Sequence, residues 1–331
     1  MPTRRTTLAL LAAAPLAARA QDAPSDWSDL PGRAAEMDQF HAIAVSHRGE
    51  IVLEEAVRGP SLSTPANIKS VSKSVVAALL GAAIEDGAVP SVEATLGEVA
   101  PALIPSGADP RVSDLTMEDL VTLRAGLERT SGPNYGGWVA SGNWVADALT
   151  RPFVAEPGGR MLYSTGSFHV LGAALTEATG ESLLALARRQ LGDPLGIEIP
   201  PWTRDPQGYY MGGNQMALTP AGMIRFGELY RLGGAWEGAR VLPAPYVDAT
   251  FEPVATSPWS GLGYGYGWFT GLTGGRRFGL ARGYGGQIVF VMPEAALTIA
   301  ITSDPNRPAR SEGYFGELMD FVTEQVVPLA T

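Results

Sequence analysis

Strand signals sit at the two ends of this chain and helix signals fill its middle, which restricts the fold more than any other feature of its 331 residues. Near the start, Phe40 to Glu55 (FHAIAVSHRGEIVLEE) alternates apolar and polar residues around His47-Arg48-Gly49-Glu50. That pattern predicts two strands joined by a short glycine-containing turn. Near the end, Tyr264 to Phe269, Gln287 to Met292 and Leu297 to Thr302 are short apolar or aromatic runs separated by Gly and Pro, and predict three more strands. Between these ends, Ser70 to Gly87 places Val71, Val75, Ala78, Leu79 and Ala82 at helical spacing, with Gly87 as a stop signal. Further helices are predicted over Leu115 to Leu127 with Thr116 as cap, about Ser167 to Ala178, Glu181 to Leu191, Thr219 to Leu232 and Gly313 to Pro328. The simplest solution is an α+β architecture: one antiparallel sheet built from both chain ends, helices packed on it, and a mainly helical lobe inserted between. The sheet parts fall at about 37–60 and 260–328 and the lobe at about 61–255, within a single domain over residues 21–331. A cleft where lobe and sheet meet is the default place for a site.

Met1 to Ala20 (MPTRRTTLALLAAAPLAARA) stands apart from this pattern. Paired arginines, a short apolar run and the small-x-small triplet Ala18-Arg19-Ala20 follow the order of a secretory signal, and the apolar run is too short to span a membrane. Arg4-Arg5 with Leu8 behind them resembles a twin-arginine export signal. The expected product is a periplasmic or secreted bacterial protein with no stable membrane anchor.

Composition narrows the chemistry. A formal charge of −10 argues against a nucleic-acid partner, which needs a clustered basic surface. The absence of Cys excludes disulfides, thiolate metal sites and a cysteine nucleophile. His41, His47 and His169 form no metal-binding pair by spacing, so neither metal nor other cofactor is expected. Of 24 basic residues, only Lys69 and Lys73 are lysines. Arg keeps its proton in a protein, whereas a buried Lys can lose one, so a Lys beside a Ser in so lysine-poor a chain is a candidate base.

Ser70-Val71-Ser72-Lys73 places a Ser and a Lys three residues apart at the start of a helix, on one face of its first turn. The free N–H groups and positive dipole end there can stabilise a developing oxyanion. Desolvation beside that end should depress the Lys73 pKa enough for it to take the Ser proton. A capping Ser with a surface Lys behind it gives the same four letters. No Gly-x-Ser-x-Gly elbow occurs. His169, on a largely apolar helix, reads as a packed, hydrogen-bonded histidine rather than a triad member. Gly263 to Trp268 lacks the third glycine of a dinucleotide loop and leads into a strand.

Larger stretches add to the motif. IKSVSKSVVAALLGAAIEDGAV (Ile68 to Val89) is similar to the nucleophile helix of the serine β-lactamase and penicillin-binding-protein superfamily. EPGGRMLYSTGSFHVLGAALTEATG (Glu156 to Gly180) resembles its second signature, and Gly283-Tyr284-Gly285-Gly286-Gln287 its third, in the family's order and spacing. The resemblance implies Ser70 as nucleophile, Lys73 as its base and Tyr163 as a second acid/base group, with a cationic Lys73 lowering the tyrosine's pKa. It implies an oxyanion hole from the Ser70 and Gln287 backbone N–H groups, with Tyr284, Gly285 and Gly286 edging the substrate cleft.

Two departures shape the expected substrate. Thr165 stands where the family commonly has Asn, implying a lost or weakened amide contact to substrate. Tyr284 replaces the Lys that holds a substrate carboxylate in β-lactamases and peptidases, with Arg282 a candidate replacement. The chain therefore resembles the branch of family VIII carboxylesterases and 6-aminohexanoate-dimer hydrolases: a serine hydrolase forming an acyl-enzyme with small esters or linear amides. Two other readings stay open, a β-lactamase or D-Ala-D-Ala carboxypeptidase, and a non-catalytic periplasmic binding module. Trp138, Trp144, Trp202 and Trp268 could line an aromatic cleft or belong to the core.

Overall fold

The computed structural model describes residues 26–309 and 313–331, so the signal-like Met1 to Ala20 lies outside the described residues. Strand β1 (Phe40–His47) turns through Arg48 and Gly49, both at positive φ, into β2 (Glu50–Ala56). Helix α1 (Val71–Glu85) follows. Every residue from Val71 to Ala83 is buried, as in a helix surrounded by protein on all sides. Helix α2 (Thr165–Thr179) and helix α3 (Pro220–Arg231) come next, and strands β3 (Ala255–Thr256), β4 (Gly263–Tyr264), β5 (Phe269–Thr273), β6 (Arg276–Gly283), β7 (Gln287–Met292) and β8 (Leu297–Ser303) complete the sheet before helix α4 (Tyr314–Asp320).

The sheet has eight strands in the order β2-β1-β8-β7-β6-β5-β4-β3. The last long strand, β8, lies antiparallel to the first, with Ile43 opposite Ile301, so the two chain ends are joined within one sheet. Successive side chains on a strand point to opposite faces, and all residues of β7 and β8 are buried, so both faces of the sheet are covered. Helix α3 lies so close to it that a Cβ on Gly227 would fall 2.6 Å from Thr298 and 2.9 Å from Val289. Among the described residues no single helix is long and apolar enough to cross a membrane.

Three expectations need correction. The helix expected over Leu115 to Leu127 is only Met117–Val121. A capping box between Thr116 and Asp119 starts it, and the left-handed backbone of Leu123 (φ 61°) ends it. Beyond it, Gly126 packs where a Cβ would lie 2.5 Å from the Ala155 carbonyl oxygen, and Leu127 bridges to Phe153. The aromatic run Tyr264 to Phe269 is not one strand: Tyr264 ends β4, Phe269 begins β5, and residues 265–268 form the turn between them, closed by the Gly265 N–H donating to the Trp268 carbonyl at 2.9 Å. Strand β6 lies outside the predicted strands, because its sequence (RRFGLARG) puts charges and glycines around a short apolar centre.

Candidate active site at the start of the buried helix

The segment leading into α1 is held by its own polar groups. Lys69 has a left-handed backbone (φ 50°), with its N–H donating to Asn67 Oδ1 at 3.0 Å and its carbonyl accepting from Ser72 Oγ at 2.6 Å. Ser72 Oγ also accepts from the Met216 N–H at 3.2 Å. Ser72 is thus a structural staple, which leaves Ser70 as the serine presented at the helix start. Its side chain makes no capping hydrogen bond, so the capping reading of the motif does not hold.

Lys73 Nζ sits 3.0 Å from Ser70 Oγ, 2.8 Å from the Gly213 carbonyl oxygen and 3.2 Å from Thr165 Oγ1. Those are three acceptors for the three protons of an ammonium. The lysine is 1% exposed, and burial alone pulls its pKa down to about 7. In the neutral amine, Gly213 and Thr165 still accept the two remaining N–H bonds. The lone pair is then directed at Ser70, the geometry required for taking its proton.

Tyr163 joins this pair through a hydrogen bond with Ser70, and Lys73 Nζ lies 4.9 Å from the centre of its ring. The expectation for its ionisation is corrected. Burial raises the Tyr163 pKa, opposed by the Ser70 hydrogen bond and by the charge of Arg282 rather than that of Lys73. A desolvated lysine titrating near neutrality is a poor standing cation, so Tyr163 is a neutral phenol that can donate a proton. The Arg282 guanidinium lies 4.3 Å from the Phe269 ring centre and 4.6 Å from that of Phe315. Phe269 in turn stacks on Tyr163 at 6.3 Å.

The turn between β6 and β7 forms the opposite edge. Tyr284 is 54% exposed at its tip. Gly285 and Gly286 both have positive φ, and they support the turn from behind. A Cβ on Gly285 would lie 2.2 Å from the Asp304 carbonyl oxygen, and one on Gly286 would lie 2.6 Å from the Tyr314 ring. Gln287 opens β7 opposite Gly283 and is buried, its side chain donating to the Ser303 carbonyl at 2.7 Å and accepting from the Ser303 N–H at 3.2 Å. A Cβ on Gly283 would meet Ile68 O at 2.4 Å and the Lys69 side chain at 2.9 Å, which places this turn against the segment that carries Ser70.

Thr165 carries more than its departure from the family pattern indicated. It is buried, accepts from Lys73, and is fixed by Ser131, whose Oγ accepts from the Thr165 N–H at 2.9 Å and lies 3.0 Å from its hydroxyl. The Gly213 carbonyl and Ser131 escaped sequence reading. For Gly213 the doublet Gly212-Gly213 is the one available signal, since adjacent glycines mark close backbone approach, and nothing local marks Ser131. His169 is packed and hydrogen-bonded, as expected. Three of the four tryptophans belong to the interior. Trp268 is fully buried against Phe226, Tyr230 and Phe251, and Trp138 and Trp144 are buried against each other and His169. Trp202 is half-buried and donates to the Met211 carbonyl. No group of three or more potential metal ligands occurs among the described residues.

An antiparallel sheet joined from both chain ends, with a Ser-x-x-Lys helix start between it and a helical lobe, is the β-lactamase-like fold, the class to which serine β-lactamases and penicillin-binding proteins belong. The chain is a member of the β-lactamase family, whose profile matches residues 35–318, and the members of that family are serine hydrolases. Among solved structures it is similar to a Bacillus anthracis protein provisionally assigned as a 6-aminohexanoate-dimer hydrolase, with a TM-score of 0.76 and 17% identity over 91% of this chain and 83% of that one. EstCE1, a hydrolase with promiscuous acyltransferase activity, matches with a TM-score of 0.69 and 17% identity over 83% of this chain and 91% of that one. A penicillin-binding-protein homologue from Pyrococcus abyssi matches with a TM-score of 0.68 and 18% identity over 88% and 76%. No curated protein sequence matches the chain.

Proposed function

We propose that this protein is a serine hydrolase that cleaves carboxylic esters or linear amides through an acyl-enzyme on Ser70. The observation that carries the reading is the buried Lys73 amine within hydrogen-bond reach of Ser70 Oγ, where burial holds its pKa down to about 7. In the first half-reaction Ser70 Oγ attacks the substrate carbonyl carbon while its proton passes to neutral Lys73. The carbonyl oxygen becomes an oxyanion facing the Ser70 and Gln287 backbone N–H groups. The tetrahedral intermediate collapses as the leaving alkoxide or amine takes a proton from the Tyr163 phenol, which is restored from Lys73. Water then attacks the acyl-enzyme, giving up a proton by the same route, and Ser70 leaves as the product acid forms.

Tyr284 favours esters and uncharged amides over β-lactams and D-Ala peptides, because an exposed aromatic stands where those enzymes present a lysine to a substrate carboxylate. Secretion is part of the same proposal and rests on Met1 to Ala20. Intact mass after fluorophosphonate treatment tests the chemistry. One adduct on the wild type and none on Ser70→Ala supports it, and no adduct on a folded wild type leaves the binding-module reading in its place. Turnover of p-nitrophenyl esters, short amides and a chromogenic cephalosporin then ranks the substrate classes.

A further inference from the structure

Behind the site lies a second buried polar pair that the chemistry above does not use. His169 Nε2 is 3.1 Å from Asp205 Oδ2, and both side chains are wholly buried. The other ring nitrogen, Nδ1, faces the Gly212 N–H at 3.4 Å. Gly212 is followed by Gly213, whose carbonyl accepts from Lys73 at 2.8 Å. The two glycines pass so close to α2 that a Cβ on Gly212 would lie 2.1 Å from the Phe168 carbonyl oxygen. A single helix therefore supplies Lys73 with Thr165 directly and, one turn on, reaches its other acceptor through His169.

The hydrogen bonds fix the tautomer. Asp205 Oδ1 accepts from the Gln207 and Tyr209 N–H groups, both at 2.9 Å, which leaves Oδ2 for the imidazole. Nε2 then carries the proton and Nδ1 is the acceptor for Gly212. Edge-on packing by Trp138 and Trp144, at 5.7 and 5.5 Å, stops the ring from turning over. Of the two acceptors that orient neutral Lys73, the Gly213 carbonyl has no donor role to exchange, whereas the Thr165 hydroxyl can rotate. Its position decides where the lone pair points.

We propose that the Asp205–His169 pair is a positioning unit that holds the Gly212-Gly213 backbone so that its carbonyl orients the Lys73 amine toward Ser70. This rests on the Ser70–Lys73 reading and adds two residues that touch no substrate.

Asp205→Asn tests it with almost no change in volume. The two backbone donors at Gln207 and Tyr209 pin the new amide oxygen, so its NH2 faces Nε2. The imidazole proton is thereby forced to Nδ1, opposite the Gly212 N–H. Because Lys69 and Lys73 are the only lysines, protein labelled with 13C at the lysine ε-carbon gives two signals, and Lys69→Arg assigns them. Loss of an acceptor for the ammonium is expected to lower the Lys73 titration midpoint by at least about half a unit. The rate of fluorophosphonate labelling should fall about ten- to a hundredfold, with the fold intact by circular dichroism. His169→Gln, which cannot reach both partners, should do the same and serves if Asp205→Asn does not fold. An unchanged or raised midpoint in a folded variant overturns the proposal, whatever happens to the rate. Failure of the wild type to label at Ser70 instead removes the Ser70–Lys73 reading, and the midpoint comparison still reports on the link to Lys73.

Discussion

The side chain of Thr165 and the backbone of Gly213 hold the Lys73 amine at 3.2 and 2.8 Å, while the third direction of that amine is left for Ser70 at 3.0 Å. The lysine is thus aimed by groups from two other parts of the chain, and its charge is controlled by their exclusion of water.

Replacing Lys73 by Arg should abolish turnover, with kcat/KM on a p-nitrophenyl ester falling at least about a thousandfold. The guanidinium keeps the charge and the donors but cannot release its proton at accessible pH. A residual rate within tenfold of wild type would remove Lys73 from the role of base.

The same residue sets a pH dependence of stability. Its pKa is depressed to about 7 in the folded protein, from 10.5 for an ordinary lysine. Between those values the unfolded chain binds a proton that the folded one does not, so this group makes stability rise with pH across that window. Below about 7 both states are charged, and the folded protein carries the full cost of a buried ammonium. Lys73→Met should therefore raise the melting temperature at pH 6, by an amount equivalent to a few kcal/mol, with the gain shrinking toward pH 10. Melting curves of both proteins from pH 6 to 10 give the comparison. A gain that does not shrink with pH argues against the depressed pKa.

For catalysis the sign is the same. The rate of acylation should rise through an apparent pKa near 7 as Lys73 loses its proton, and the limb should disappear in variants that retain only background hydrolysis. A pH–rate profile of kcat/KM from pH 5 to 9 measures it.

Thr165→Val keeps the shape and removes the hydroxyl that meets Lys73 and Ser131. A roughly tenfold drop in kcat/KM is expected, with a stability loss of about 1 kcal/mol by urea titration. Equal activity would make Gly213 a sufficient guide for the lysine.

Much of the architecture was legible because strand alternation and helical spacing are local signals. Phe40 to Glu55, Ser70 to Gly87 and Thr219 to Leu232 match the observed elements to within a few residues. What escaped depends on contacts distant in sequence. Leu123 ends its helix with a backbone conformation its side chain does not favour, and β6 forms because β5 and β7 flank it rather than from its own composition. At the site, Ser70 and Lys73 stand out by side-chain chemistry and spacing, whereas Tyr163 is named only through the resemblance of Glu156 to Gly180 to the family's second signature. The Gly213 carbonyl carries no such mark, since any residue has one. At Thr165 the sequence shows only a missing amide, whereas in the structure its hydroxyl is a partner of the lysine.

Gly285→Ala should destabilise the protein by several kcal/mol, because the added methyl meets the Asp304 carbonyl oxygen and the residue's φ is 83°. Urea denaturation at pH 8 would measure it, and a loss under 1 kcal/mol would show that the turn can shift to make room.

Tyr284 projects into solvent from a turn whose next two residues admit no side chain, and Gln287 beyond them is pinned to β8. A mutation at position 284 thus changes an exposed side chain while the backbone of the turn and Gln287 stay where they are. On the proposed acyl-enzyme reading, this one exposed side chain is free to vary what the protein accepts, and a library randomised at that codon alone is the smallest experiment that samples that freedom.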